Sequence, residues 1–369
     1  MSTAAVQKPK DLFLLEGINI LSFNKDFTQV ALSKKDNIIY IYSIEDLMKT
    51  DTWKELFQLK SHYQYISGLD WCPETNRILS CSYDKTSFVW DLVENKWTPS
   101  NVVITTKLGY LCCKWNKRGD KFCEGTSAKQ LLIGYYNPET KWWMGVNIKV
   151  HKSSVVTCEI DPTSLYVISG STDMRIFVSS CYKPEIDDDF LTEEQKASAK
   201  PFGDVIYEFK ENSWINSVSW LPNGYLGLAA GQDAVITVVH PTENENKEEQ
   251  IKCKHAPATM LIPKDDKSFY AVCYDRNIFE YEKKGEEWEV KKIITAKKED
   301  NKSKTTVGRV SAQLEMFNKM GLQNKGNLAV VTKQSLHLHK SQISSINIKG
   351  LLVPHFFKPC IILPGEAPI

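Results

Sequence analysis

Short apolar, strand-like runs alternate with polar turn-forming clusters along most of the chain. Around Trp71 (LDWCPE) and around Trp220 (VSWLPN) the pattern is the same: a strand-like alternation, a turn, and a second strand. The apolar residue just before the turn serves as an anchor for counting. Thirteen residues separate Phe23 from Asp36, Trp71 from Asp84, Ile160 from Asp173, and Trp220 from Asp233. A fifth unit runs from Leu261 to Asp275 with one extra residue. Six residues beyond the Asp lies an aromatic in three units, at Tyr42, Trp90 and Tyr281. The unit around Trp115 has the anchor and the turn but carries Ala128 where the Asp should fall. The anchors stand at 23, 71, 115, 160, 220 and 261, mostly 41 to 48 residues apart with one gap of 60.

A period of ~40–45 residues with several short strands per unit is the spacing of WD repeats. Each such unit folds as a four-stranded antiparallel blade, and blades pack radially around a central channel. The expected fold is therefore all-β, a seven-bladed WD-repeat β-propeller. It forms a single domain over 11–369 after a flexible N-terminal tail over 1–10. In each unit the anchor ends one strand, and the next strand runs back to a tight turn holding the Asp. The carboxylate suits that turn because it accepts nearby backbone N–H bonds.

His62 precedes Asp84 by 22 residues, and His151 precedes Asp173 by the same 22. In WD repeats such a His comes from the loop before the innermost strand and bonds the turn Asp. A strand hydroxyl (Ser80 or Ser82) and the Trp90 N–H complete the set. His62, Asp84, Trp90, His151 and Asp173 are thus the candidate structural network of the blades. The unit at Asp173 departs from it, with Phe177 four residues on and no aromatic at the sixth place. A Ser, a His and an Asp also make up a hydrolase triad. Against that reading, the Asp turn recurs at Asp36 with no accompanying His or Ser, and no Gly-x-Ser-x-Gly elbow is present. Buried polar groups need partners for structural reasons alone.

The six units end near residue 284. The run HKSQISSINIKG (339–350) would begin a seventh blade. DLFLLEGINI (11–20) has the pattern of a strand that closes the ring by joining the last blade, so that no sheet edge stays open. Two insertions break the period, at about 181–212 and about 285–341. The first holds the acidic run EIDDDFLTEE and then KPFGDVIYEF. In the second, a polar stretch is followed by VSAQLEMFNKMG, which sets Leu314, Phe317 and Met320 at helical spacing with Gly321 as a stop. That helix either folds back on its own propeller or protrudes toward a partner. The tail over 351–369 carries Pro354, Pro359 and Pro364, fits central strands poorly, and reads as irregular.

Charge narrows the function classes. With 46 Lys+Arg against 45 Asp+Glu, nothing builds the positive field that drives nucleic-acid binding. The ten cysteines are scattered through strand-like segments with no C-x-x-C pair, as expected of small buried hydrophobes in a reducing compartment. MSTAAVQKPK lacks the apolar run of a secretory signal, and no stretch approaches the ~18 apolar residues of a membrane helix. The expected location is the cytoplasm, with no membrane insertion. No cofactor is expected. His337 and His339 share a strand face, but no Cys or carboxylate cluster lies beside them to complete a metal site, and no Gly-x-x-x-x-Gly-Lys loop is present. The Trp142–Trp143 pair reads as blade packing. The acidic run over 185–194 reads as a solvated loop, or as a surface for a basic patch on a neighbouring subunit. Channel-facing strand starts show alternating apolar positions, so the chain is not expected to be an enzyme.

With these features in place, the chain resembles a specific family, the forty-kilodalton WD-repeat subunits of the actin-related protein 2/3 complex, over about residues 11–350. The residues that carry the resemblance are DWCPETNRILSCSYDKTSFVWDL at 70–92 with the KWTP that follows, Trp142–Trp143, RIF at 175–177 and PFG at 201–203. The insertion between blades six and seven, and SLHLHKSQISSI just after it, belong to the same pattern. The resemblance implies a non-catalytic scaffold subunit of an assembly that nucleates branched actin filaments, in the cytoplasm and cytoskeleton. It implies contacts with the other subunits and with acidic activator segments. It also implies that the insertion helix reaches toward actin-related subunits or the actin filament, which makes Leu314, Phe317 and Met320 candidate partner-binding residues. The tail departs from the family, which supplies two further strands of blade seven there. The alternative is a WD-repeat interaction scaffold of another cytosolic assembly, marked by an appended domain or receptor motif; none is visible.

Overall fold

The computed structural model describes residues 18–295, apart from 35, 45–53, 225–226, 241–246, 276 and 286. Leu314, Phe317, Met320, His337, His339, the run 339–350 and the tail lie outside the described residues.

The described strands form six four-stranded antiparallel blades. Blade 1 comprises Ile18–Phe23, Gln29–Lys34, Ile38–Ser43 and Lys54–Lys60. Blade 2 comprises Ile66–Trp71, Ile78–Ser82, Ser87–Val93 and Lys96–Val103, and blade 3 Tyr110–Trp115, Lys121–Thr126, Leu131–Asn137 and Trp142–Ile148. Blade 4 comprises Val155–Ile160, Tyr166–Ser171, Arg175–Ser180 and Val205–Lys210, and blade 5 Ile215–Trp220, Gly227–Gly231, Val235–His240 and Lys247–Lys252. Blade 6 comprises Ala258–Asp265, Ser268–Cys273, Asn277–Lys284 and Glu287–Thr295. The first strand of each blade packs beside the first strand of the next, so these are the inner strands around a common axis. The architecture is an all-β propeller, and six of its expected seven blades fall within the described residues.

Phe23, Trp71, Trp115, Ile160 and Trp220 each close an inner strand. The sixth anchor differs because its inner strand continues to Asp265, with an irregular register between Pro263 and Asp265 that absorbs the extra residue. The turns at Asp84, Asp173 and Asp233 share one geometry. The residue after the Asp is left-handed, with φ of 70° at Lys85, 64° at Met174 and 61° at Ala234. Lys129 has φ 68° in the blade that lacks the Asp, so the turn outlasts its side chain.

Side chains alternate between the two faces of each strand, and the cores accordingly lie between blades. Trp71, Trp90 and Trp97 meet Ala31, Ile39 and Ile41 between blades 1 and 2. Trp115, Phe122 and Trp143 meet Leu79 and Cys81 between blades 2 and 3. The Trp71–Trp97 and Trp115–Trp143 pairs are edge-to-face at 5.6 and 5.4 Å, a favoured aromatic geometry. Blade 1 (Phe23, Val30, Leu32, Tyr42) and blade 6 (Ile262, Tyr270, Val272) carry further apolar clusters on the faces directed away from the other described blades. At the rim, the outer strands of blades 2 and 3 pair in parallel through Trp143↔Val102 and Met144↔Val103, joining the two into one eight-stranded sheet.

Several expectations are corrected here. The Trp142–Trp143 pair is split by strand alternation: Trp143 is buried in the blade core, while Trp142 is 54% exposed. The span 181–212 contains the outer strand of blade 4, Val205–Lys210, and the span 285–341 begins with the outer strand of blade 6, Glu287–Thr295. Both strands lie at the wet rim of their blades, and their polar residues disguise them as insertion. Of the segment 11–20, Ile18–Ile20 belong to the inner strand of blade 1.

The acidic run is not a solvated loop. It forms a helical turn α1 (Pro184–Asp187), a 3-10 turn, and a short helix α2 (Glu193–Ser198) with a reciprocal Thr192–Gln195 capping box. Asp187 is fully buried. It accepts hydrogen bonds from Lys121 Nζ at 2.7 Å, from Arg118 Nη2 at 2.5 Å, and from the Lys183 N–H at 2.8 Å. Lys121 is equally buried and also donates to the carbonyls of Ser164 and Cys181 at 2.5 and 3.1 Å. The basic partner of Asp187 is therefore blade 3 of the same chain, while Glu185, Asp189, Glu193 and Glu194 are exposed.

Candidate functional site

The candidate network assembles in blade 2 as a relay from core to turn. The Trp90 indole N–H donates to Ser80 Oγ at 2.8 Å, and Ser80 Oγ lies 2.8 Å from His62 Nε2. His62 Nδ1 faces Thr86 Oγ1 at 2.9 Å and Asp84 Oδ2 at 3.3 Å. The tautomer with the proton on Nδ1 satisfies every one of these bonds. Asp84 also accepts from the backbone N–H groups of Tyr63 and Thr86 at 2.7 and 2.8 Å, and from Thr86 Oγ1 at 2.5 Å. Of the two candidate hydroxyls, Ser80 joins the relay, while Ser82 bonds the Gln64 carbonyl and the Asp84 N–H. Phe88 stands edge-on to His62 at 5.0 Å.

Blade 4 repeats the arrangement one link shorter. His151 Nδ1 lies 3.1 Å from Asp173 Oδ2, and its Nε2 lies 2.9 Å from Ser169 Oγ. The Lys152 N–H closes the carboxylate at 2.7 Å. Phe177 meets His151 edge-on at 4.9 Å, as Phe88 meets His62. Six residues after Asp173 stands Ser179, a buried hydroxyl with no hydrogen-bond partner, where blade 2 has Trp90.

Other blades improvise. Asp36 is not without a hydroxyl: it accepts from Ser33 at 3.4 Å and from Tyr40 at 2.9 Å. Asp233 accepts from Ser213 at 2.9 Å. In blade 6, Cys253 stands 22 residues before Asp275, and the histidine comes two places later. His255 stacks on Phe279 at 3.8 Å, and its Nε2 lies 2.6 Å from the Tyr281 hydroxyl. Thr86, Ser33 and His255 were not singled out from the sequence; only Tyr281, six residues after its Asp, pointed to the last of these sites.

Ser80 and Ser169 are completely buried, so no substrate carbonyl reaches either hydroxyl. The arrangement acts as a cross-link among a loop, a strand and a turn, with every polar atom satisfied. Burial pushes the Asp84 carboxyl up, but the bonds from His62, Thr86 and Tyr63 outweigh it and hold the group well below the usual carboxylate range. Asp173 is lowered in the same way, against burial, by His151 and the Lys152 N–H. A carboxylate lowered by folding contributes stability that is complete above its unfolded value, about pH 4, and is lost as pH falls through the folded value. Asp84→Asn is therefore expected to lower stability at pH 7 by ~1–2 kcal/mol. It should also flatten the acid limb below about pH 4, read by urea unfolding at pH 7 and pH 3.

Among the described residues, no group of three or more His, Cys, Asp and Glu side chains is placed to hold a metal ion. Nor is any described helix long and apolar enough to cross a membrane.

Six sequential four-stranded blades, five of them with an Asp at the turn and two with a His–Asp network, define a β-propeller of WD-repeat pattern. The family model for the WD domain, G-beta repeat, matches residues 53–91 and 145–178, which hold the two histidine networks. Among curated proteins, the chain is similar to Actin-related protein 2/3 complex subunit 1A-A of Xenopus laevis, 28% identical over 342 residues, covering 91% of this chain and 88% of the relative. Subunit 1A of Arabidopsis thaliana is 28% identical over 90% of this chain and 87% of its own length. Subunit 1 of Schizosaccharomyces pombe is 23% identical over 69% and 67%. The particular likeness is thus to a WD-repeat subunit 1 of the actin-related protein 2/3 complex.

Proposed function

We propose that this chain is a non-catalytic scaffold subunit of an actin-related protein 2/3 complex, supporting nucleation of branched actin filaments in the cytoplasm and cytoskeleton. The observation that carries this reading is the extent of the likeness, about nine-tenths of both chains. The blade networks support a structural role, since their hydroxyls are sealed from solvent. On this reading the propeller contacts the other subunits and acidic activator segments, and Leu314, Phe317 and Met320 form the apolar contact of the insertion with its partner or the actin filament.

The test is affinity purification of the tagged chain from its own cells, with mass spectrometry of stoichiometric partners. The expected result is two actin-related proteins with the other small subunits. Recovery of unrelated partners would favour a scaffold of another assembly. A variant with Leu314, Phe317 and Met320 all changed to Ser is expected to co-purify and fold normally while branch formation falls. Unfolding of that variant would place the helix against its own propeller.

A further inference from the structure

None of the nine described cysteines is in a disulfide, and thiols meet across two blade boundaries: Cys81 with Cys113 between blades 2 and 3, and Cys158 with Cys112 and Cys123 between blades 4 and 3. Cys112 lies on the inner strand of blade 3 and Cys158 on the inner strand of blade 4, strands that pack side by side. Their sulfurs are 3.6 Å apart. The site is built around Gly125, the residue that pairs with Cys112 on the second strand of blade 3. A Cβ at Gly125 would stand 2.7 Å from Cys112 Sγ and 2.5 Å from the Val155 carbonyl oxygen, so the glycine leaves the space this sulfur occupies. Cys113 points to the other face of its strand and sits with Cys81 around Gly68, in the seam with blade 2.

We propose that Cys112 and Cys158 form an oxidant-responsive pair that closes to a disulfide across the seam of blades 3 and 4 on exposure to a peroxide. Cys112 is partly exposed, whereas Cys158 is 2% exposed, so the oxidant meets Cys112 first. The Cys112 thiolate attacks one peroxide oxygen. An S–O bond forms, the O–O bond breaks, and hydroxide leaves to be protonated to water, giving a sulfenic acid. The Cys158 sulfur then attacks Cys112 Sγ and gives up its proton to the departing hydroxyl, so that an S–S bond forms as the S–O bond breaks and a second water leaves. Two electrons pass from the two thiols to one peroxide. The sulfurs must approach by ~1.5 Å to reach disulfide length, a movement of side chains on strands already in contact. Burial holds the Cys158 thiol well above its ordinary value, which keeps it from reacting with peroxide on its own account. A reducing cytosol returns the pair to thiols. The staple would add a covalent tie to a seam already bridged by the Lys114–Glu159 ion pair and by the hydrogen bonds of Asn116 and Lys121 to blade 4.

The experiment treats the purified chain with hydrogen peroxide, blocks remaining thiols, and maps linked peptides without reductant. The expected result is one new link between the Cys112 and Cys158 segments, with Tm raised by several degrees, both reversed by dithiothreitol. Because Cys112 and Cys113 share a peptide, variants assign the sulfur. Cys113→Ser and Cys123→Ser should keep the link, and Cys112→Ala, Cys112→Ser and Cys158→Ser should lose it. Circular dichroism checks that each variant is folded. A link that survives Cys112→Ala, or sulfinic acid at Cys112 with no link in folded protein, overturns the proposal.

Discussion

Asp187→Ala is expected to cost ~3–5 kcal/mol of stability. The carboxylate it removes is fully buried and is gripped by Lys121 at 2.7 Å and Arg118 at 2.5 Å. Arg118 retains Asp120 at 2.7 Å and part of its exposure, so it tolerates the loss. Lys121 does not: its ammonium has no exposure and keeps only the two carbonyls of Ser164 and Cys181. An uncompensated buried charge, rather than a missing attraction, sets the size of the effect. The double variant Lys121→Met with Asp187→Ala removes both charges and is expected to regain more than half of the loss. Urea unfolding of the three proteins measures this. Limited proteolysis adds a local readout, because Asp187→Ala should expose the α1–α2 segment to cleavage while the blades stay resistant. Equal losses in the single and double variants would mean that packing, not charge, holds the segment.

Glu124→Gln should do the opposite and stabilise the protein, increasingly as pH rises. Glu124 sits wholly buried on the second strand of blade 3, with Ser87 of blade 2 bonded to one carboxyl oxygen and no partner at the other. Burial pushes its carboxyl from 4.5 to about 8, against the hydrogen bond from Ser87. A carboxyl raised by folding contributes stability that is complete below the unfolded value and is lost as pH climbs through the folded one. Between about pH 4.5 and about pH 8 the native protein therefore weakens by ~1.4 kcal/mol for each pH unit, reaching the order of 4 kcal/mol. The amide carries no such burden. The two proteins should be nearly alike at pH 5 and far apart at pH 8, as read by denaturant midpoints at each pH. A constant difference across that range would mean that Glu124 does not titrate there.

How far the sequence foretold these features follows from how local each one is. The anchor-to-Asp spacing was legible because a single hairpin fixes it: Trp71 closes one strand and Asp84 sits in the next turn. The 22-residue interval from His62 to Asp84 was legible for a related reason, since one loop and two strands span it. Asp187 was not legible, because its ammonium partner lies 66 residues away on another blade. Nor was Glu124, whose strand KFCEGT is buried at every position and shows no alternation to flag the carboxylate as inward. The outer strand Glu287–Thr295 (EWEVKKIIT) falls in the stretch assigned to the second insertion, because its mostly polar residues show no clear strand alternation. The blade 6 network moved its histidine two places, to 255, which defeats a count based on fixed intervals.

The parallel pairing of Trp143 with Val102 and Met144 with Val103 gives the ring an uneven mechanics. Elsewhere among the described blades, neighbours can part by losing side-chain contacts alone. At this one boundary the backbone hydrogen-bond ladder continues from blade to blade, so opening the seam also breaks main-chain bonds. Blades 2 and 3 should therefore deform and exchange their amide protons as a single foldon. A deformation of the propeller, whether thermal or applied from outside, would be taken up by the other described seams, leaving this pair as the stiff sector against which the rest flexes.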